Sequence, residues 1–146
     1  NESFTALENI DRARSRGVEL TARLDILPGL TAGANYTYND AEDDEKEQLL
    51  RRPSHMASAN LNYRFLDDRA NLNLTVIYNG KTYDIGDTGR VSLASYTLVN
   101  VAGSYRLTDN FEIFGRIENA LNKNYEEIHN YNTTGRAAYA GMRIRF

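Results

Sequence analysis

The sequence has no cysteine and only two histidines. Without cysteine there is no disulfide framework, no thiolate metal site and no cysteine nucleophile. The histidines, His55 and His129, lie in different stretches of the chain. Two isolated imidazoles make a poor metal site, and no Ser-His-Asp arrangement can be built around either. No catalytic activity, metal or cofactor is expected. Nor is there any run of 18 apolar residues, so no transmembrane helix is expected. The net charge is −3 and no basic cluster stands out, which argues against a nucleic-acid partner. The opening residues, Asn1-Glu2-Ser3-Phe4, carry no initiator Met, basic region or apolar stretch. The expectation is a chain that begins inside a larger protein.

What the sequence does have is persistent alternation. From Val18 the apolar positions are Val18, Leu20, Ala22, Leu24 and Ile26, with Glu19, Thr21, Arg23 and Asp25 between them. The same period of two recurs in residues 30–39, 57–65, 70–79, 99–106, 111–118 and 138–146. Such a period does not fit a helix. The connections alternate short and long: Pro28-Gly29, then 40–54, 66–69, 80–95, 108–110 and 121–136. The pattern predicts an all-β fold, an antiparallel up-and-down meander of seven strands. Residues 1–10 would supply an eighth, or the end of an earlier one.

Period two alone does not choose between a soluble sandwich and a membrane sheet. Two features favour the membrane. Each run is long enough to cross a bilayer at a steep tilt. Folding the meander so that the short turns share one side also sorts the aromatics. Tyr63, Phe65, Tyr105, Phe111 and Phe146 then fall near the short-turn edge, and Tyr36, Tyr38 and Tyr78 near the long-loop edge. Aromatic girdles around an aliphatic belt mark outer-membrane strands. A negative mean hydropathy is compatible with this, because every second residue faces the lumen and the loops are polar. The lumen face would carry mixed charges, with cross-strand pairs such as Glu112 or Glu118 with Arg143 or Arg145.

The run Glu42-Asp43-Asp44-Glu45 with Glu47 is rich in oxygen ligands, but it lacks the spacing of an EF-hand loop. It reads as a solvated acidic loop, and so do Asp84 and Asp87. Arg51 and Arg52 could offer a planar fork to phosphate or carboxylate. Equally, one of them could pair with the preceding acidic run while the other packs at the rim. Tyr83, Asn130 and Tyr131 are loop residues able to stack on or hydrogen-bond a ligand.

Several segments carry a resemblance. They are Arg16-Gly17-Val18-Glu19-Leu20, Leu50-Arg51-Arg52-Pro53-Ser54-His55 and Tyr96-Thr97-Leu98-Val99-Asn100. The strongest is Ile117-Glu118-Asn119-Ala120-Leu121-Asn122-Lys123-Asn124-Tyr125-Glu126, then Tyr131-Asn132-Thr133-Thr134-Gly135-Arg136 and a strand closing on Phe146. In this order and spacing they resemble the C-terminal barrel segment of a TonB-dependent outer-membrane receptor. Ala120-Leu121 and Thr134 depart mildly from the family's usual Phe and Pro. The resemblance implies a 22-stranded barrel with an N-terminal plug, here absent, and uptake of a scarce nutrient powered through TonB. The Leu-Leu-Arg-Arg stretch is similar to that of the cobalamin (vitamin B12) branch rather than the siderophore receptors, and implies that Arg51 lies at the ligand mouth. The rival readings are a small self-contained eight-stranded barrel with a structural or adhesive role, and a soluble β-sandwich binding module.

The resemblance also implies that Phe146, with Ala140, Met142 and Ile144 on one face, is the signal read by the barrel-assembly machinery. Deleting Phe146 from the full-length receptor should lower its level in the outer membrane, measured on fractionated membranes. Unchanged insertion would refute that role.

Overall fold

The computed structural model describes residues 12–146. Residues 1–10, the candidate eighth strand, lie outside the described residues. Nine strands follow in order: β1 (Ala13–Leu27), β2 (Leu30–Asp43), β3 (His55–Phe65), β4 (Ala70–Asn79), β5 (Thr82–Gly86), β6 (Gly89–Leu93), β7 (Tyr96–Arg106), β8 (Phe111–Glu118) and β9 (Ala137–Ile144). Seven form one sheet in the order β1-β2-β3-β4-β7-β8-β9, and β5-β6 is a separate hairpin. Every pairing in the sheet is antiparallel. The stretch 80–95, expected as an open loop, therefore contains a hairpin. β1 and β2 also run further into the loop side than the alternation indicated.

Register keeps the two faces apart. Leu20 pairs with Tyr36, Ala34 with Ala59, Leu61 with Leu74, Val76 with Val99, Val101 with Ile117 and Ile113 with Met142. On the other face Thr21 pairs with Asn35, Asn60 with Thr75, Asn71 with Ser104 and Glu112 with Arg143. A one-residue slip in any pair would mix the faces. The polar face is cross-linked by side chains. Asn62 and Asn71 exchange amide hydrogen bonds of 3.1 and 3.2 Å. The expected ion pair forms between Glu112 and Arg143 at 3.3 Å, whereas Glu118 pairs within its own strand, with Arg116.

Among the described residues nothing covers the apolar face. Leu20 is 60% exposed, Leu24 63% and Met142 67%. Among the described residues the only buried apolar side chains are Ala41, Ala70, Leu93 and Tyr96. A sandwich would bury this face under a second sheet, and the hairpin is the only other sheet present among the described residues. A face this large and apolar needs lipid. β3 has 11 residues. At about 3.3 Å per residue and a tilt near 45°, that length crosses about 25 Å, the apolar height of an outer-membrane barrel.

The girdles are built as well as placed. Tyr63 and Phe65 stack at 5.0 Å. At the other edge the Tyr36 hydroxyl and His55 Nδ1 are 2.8 Å apart, and Tyr38 lies 5.2 Å from the His55 ring. On the short-turn side, Pro28 and Gly29 fill the central positions of the β1-β2 turn, with Gly29 at φ +82°. That is the type II arrangement, which calls for glycine. A Cβ at Gly29 would also run into the carbonyl oxygen of Arg64 on β3.

Leu74 sits mid-strand on the apolar face, opposite Leu61 and Val101. In the full-length protein in micelles, Leu74→Arg should destabilise the sheet by about 2–4 kcal/mol. Asn73→Arg, one residue along and facing the other way, should cost much less. Equal costs in a folding titration would overturn the face assignment.

Candidate functional site

The three long connections leave the same edge of the sheet, and their polar groups bond to one another. The first joins β2 to β3. Asp43 Oδ1 accepts hydrogen bonds from the backbone N–H groups of Glu45 and Glu47, at 3.0 and 2.9 Å, which turns the acidic run back on itself. The second carries β5-β6. Its turn, Gly86 to Gly89, has Gly89 at φ +113°, a backbone that side chains rarely adopt. The third joins β8 to β9 and starts on Asn119, which is buried. Asn119 Nδ2 donates to the Lys123 carbonyl at 2.9 Å, and its Oδ1 accepts from Lys123 N–H at 2.8 Å. Asn122 Oδ1 accepts from Arg136 N–H at 2.9 Å. The two asparagines of the Asn-Ala-Leu-Asn motif thus clamp both ends of the last loop.

All three connections meet at Asp84. Its side chain is 1% exposed, the most buried among the described residues. Arg51, from the first connection, places Nε at 3.0 Å and Nη2 at 2.9 Å from Asp84 Oδ1. His129, from the third, donates its backbone N–H to Oδ2 at 2.8 Å. Ile85 N–H donates to Oδ1 at 3.0 Å. Arg51 N–H also donates to the Tyr83 carbonyl at 2.8 Å, with Arg51 at φ +56°. Burial pushes the Asp84 carboxyl up, but the donors His129, Arg51 and Ile85 outweigh it and hold the group below its ordinary value. Asp84 therefore stays ionised.

The expectation that Asp84 is a solvated acid is thus overturned: three donors from separate parts of the chain enclose it. Asp87 remains exposed on the turn. Arg51 does not pair with the acidic run before it. Glu47 of that run instead binds Arg90 on β6 at 3.0 Å. Among the candidate residues, Arg51 and Tyr83 are brought together, and Asn130 adjoins His129 at the same junction. The Tyr83 ring lies 4.9 Å from Lys81 Nζ and 4.5 Å from the Arg90 guanidinium. Arg52 is exposed, and its carbonyl accepts from Gln48 Nε2. Tyr131 is exposed, and its backbone N–H donates to the Ile128 carbonyl at 3.1 Å. Between the hairpin and the last loop lies a polar recess of about 380 Å³, lined by Ser92, Tyr96, Lys123, Tyr125, Glu126 and His129. The Tyr96 ring lies 4.3 Å from that of Tyr125, tilted by 33°, and the Tyr96 hydroxyl donates to Glu127 at 2.9 Å.

Residues 1–120 match the family described as TonB dependent receptor-like, beta-barrel. The chain belongs to this family. The vitamin B12 transporter BtuB of Photobacterium profundum is 37% identical over 139 residues, covering 94% of this chain and 22% of the relative. BtuB of Vibrio cholerae is 30% identical over 142 residues, covering 94% and 23%. The chain thus spans less than a quarter of the length of these relatives. Among solved structures, the ferric-catecholate import receptor Fiu of E. coli superposes with a TM-score of 0.79 at 17% identity, over 92% of this chain and 21% of that one. The pyoverdine receptor FpvA of Pseudomonas aeruginosa superposes with 0.78 at 20%, over 92% and 22%. The sheet is therefore a fragment of the 22-stranded receptor barrel. It belongs to the outer membrane of a Gram-negative bacterium.

With its folded-state pKa depressed, Asp84 contributes stability that is present above its ordinary value of 3.8 and lost as pH falls through its lower folded value. In the full-length receptor, hydrogen exchange at the Ile85 and His129 amides should remain slow at pH 5. After correction for intrinsic rates, it should accelerate below the ordinary carboxylate range. Asp84→Asn should remove that pH dependence; its persistence in the variant would show that another group controls the junction.

Proposed function

We propose that this chain is the C-terminal barrel portion of a receptor that takes up cobalamin across the outer membrane, driven through TonB. The observation that carries this reading is the 37% identity to a vitamin B12 transporter across 94% of the chain. The likeness to siderophore receptors lies between 17% and 21% identity and bears on the fold alone. In this reading the plug and the earlier strands precede the segment, and the free edges of β1 and β9 pair with neighbouring barrel strands. The plug makes the contact with TonB, and the barrel-assembly machinery reads Phe146.

The ligand-facing group is Arg51, Arg52, Tyr83, Asn130 and Tyr131, on the long-loop side. Arg51 is suited to it because its side chain is 55% exposed although two of its nitrogens hold Asp84. The remaining N–H groups can donate to acceptors on a ligand.

Binding of cyanocobalamin to outer-membrane preparations of the full-length receptor tests the reading, with ferric chelates as the second probe. Arg51→Ala should weaken cyanocobalamin binding by about 1–3 kcal/mol. Arg143→Ala, which breaks the pair with Glu112 near the short turns, should leave affinity unchanged. Tight binding of ferric chelates without cyanocobalamin would overturn the cobalamin assignment. Full affinity in Arg51→Ala would remove Arg51 from the ligand-facing group.

A further inference from the structure

We propose that Asp84 sets the ligand chemistry that Arg51 accepts: its buried carboxylate neutralises the guanidinium, so that the exposed edge favours a neutral hydrogen-bond acceptor over an anion. The inference rests on the reading of Arg51 as a ligand-facing residue. Asp84, at 1% exposure, does not touch the ligand and acts through Arg51, as a positioning residue.

The geometry carries it in three steps. First, both oxygens of the carboxylate are engaged. Oδ1 accepts from Arg51 and from Ile85 N–H, and Oδ2 accepts from His129 N–H. Among the described residues Arg51 is its only cationic partner. Second, the guanidinium is used on one edge only. Nε and Nη2 converge on the single oxygen Oδ1, at 3.0 and 2.9 Å, which leaves the Nη1 hydrogens and the outer Nη2 hydrogen free. An anion approaching that free edge feels the cation, but also the fixed negative charge directly behind it, and the two largely cancel. A neutral carbonyl is held by the N–H dipoles themselves and loses much less. Third, the surroundings add no net positive field. With Asp84 and Arg51 themselves set aside, the hairpin connection has one excess base (Lys81 and Arg90 against Asp87) and residues 44–54 have one excess acid (Asp44, Glu45 and Glu47 against Lys46 and Arg52), which cancel. Residues 119–136 carry equal numbers of acids and bases.

Arg51 is also fixed in place, by its backbone bond to the Tyr83 carbonyl and by its left-handed backbone. Removing the Asp84 charge would therefore leave a full cation at the same position. Asp84→Asn keeps the size of the side chain and removes only the charge.

The test uses the full-length receptor and two probes: cyanocobalamin, and its monocarboxylate derivative with one side-chain amide hydrolysed. The parent should prefer the neutral probe. In Asp84→Asn the ratio of affinities should swing toward the carboxylate by about tenfold, one charge-assisted hydrogen bond. The swing should shrink as salt is raised. Adding Arg51→Ala to the same background should abolish it. Loosened loops alone would weaken both probes equally and leave the ratio unchanged, and that result would overturn the inference. If the parent binds neither probe, the cobalamin reading fails on its own. The comparison then passes to a neutral ferric hydroxamate and to ferric citrate. A parent that prefers citrate would overturn the role of Asp84, and one that prefers the hydroxamate and swings in Asp84→Asn would support it.

Discussion

A backbone N–H that enters hydrocarbon must find a carbonyl, because no water is there to replace one. The rest of this structure depends on that requirement. It explains why seven strands pair in one uninterrupted antiparallel order, and why the chain makes no excursion between neighbours except at the two edges. It also explains why register is so regular, with one bulge between Asp25 and Leu27 placed next to a turn. With the backbone satisfied strand to strand, the side chains are free to divide between lipid and lumen. Alternation follows from the pleat, and the exposed leucines follow from the solvent they face.

The loop side is under the opposite constraint. These connections stand in water and cannot be held by an apolar core, since among the described residues the only apolar side chains buried at that edge are Ala41, Leu93 and Tyr96. A carboxylate with three sources of donors does this instead. A buried charge is costly unless it is paired and hydrogen-bonded. Asp84 meets both conditions, with Arg51 as counter-ion and two backbone amides completing its shell. The cost of burying it becomes a reason for the loops to stay together, because releasing any one of them strands the charge. The short turns need no such device. Pro28-Gly29 closes locally, and residues 66–68 reverse the chain through three successive left-handed conformations.

This contrast also explains what could be read from the sequence. The faces of β1 to β4 and β7 to β9 were legible because lipid imposes a period that each strand shows by itself: Val18 to Ile26 already contains it. The β5-β6 hairpin was not legible. Its arms are five residues each, and its inner face mixes Asp84 with Val91 and Leu93, which breaks the apolar alternation. Asp84 itself looked like any loop acid. Its burial depends on Arg51 and His129, which lie 33 and 45 residues away in sequence. Nothing local to Tyr83-Asp84-Ile85 announces those partners. Asn119 and Asn122 fall between these cases. Their motif stood out, but their clamping role is visible only once Lys123 and Arg136 are seen donating to them.

Separating the two solvents separates the two jobs of the chain. A residue on the lipid face answers to hydrocarbon, so its freedom is limited to apolar size, and an aromatic is best placed at the interface. A loop residue answers only to water and to its neighbours. Once Asp84 and Arg51 hold the three connections, exposed loop side chains such as Arg52 and Tyr131 can change without disturbing a single strand pairing. Relatives of this fold can therefore share the sheet at under 25% identity while differing in what they bind. The sheet is constrained by the membrane they share. In this chain the loops are constrained by a buried charge, which fixes their geometry but leaves the exposed side chains free to vary.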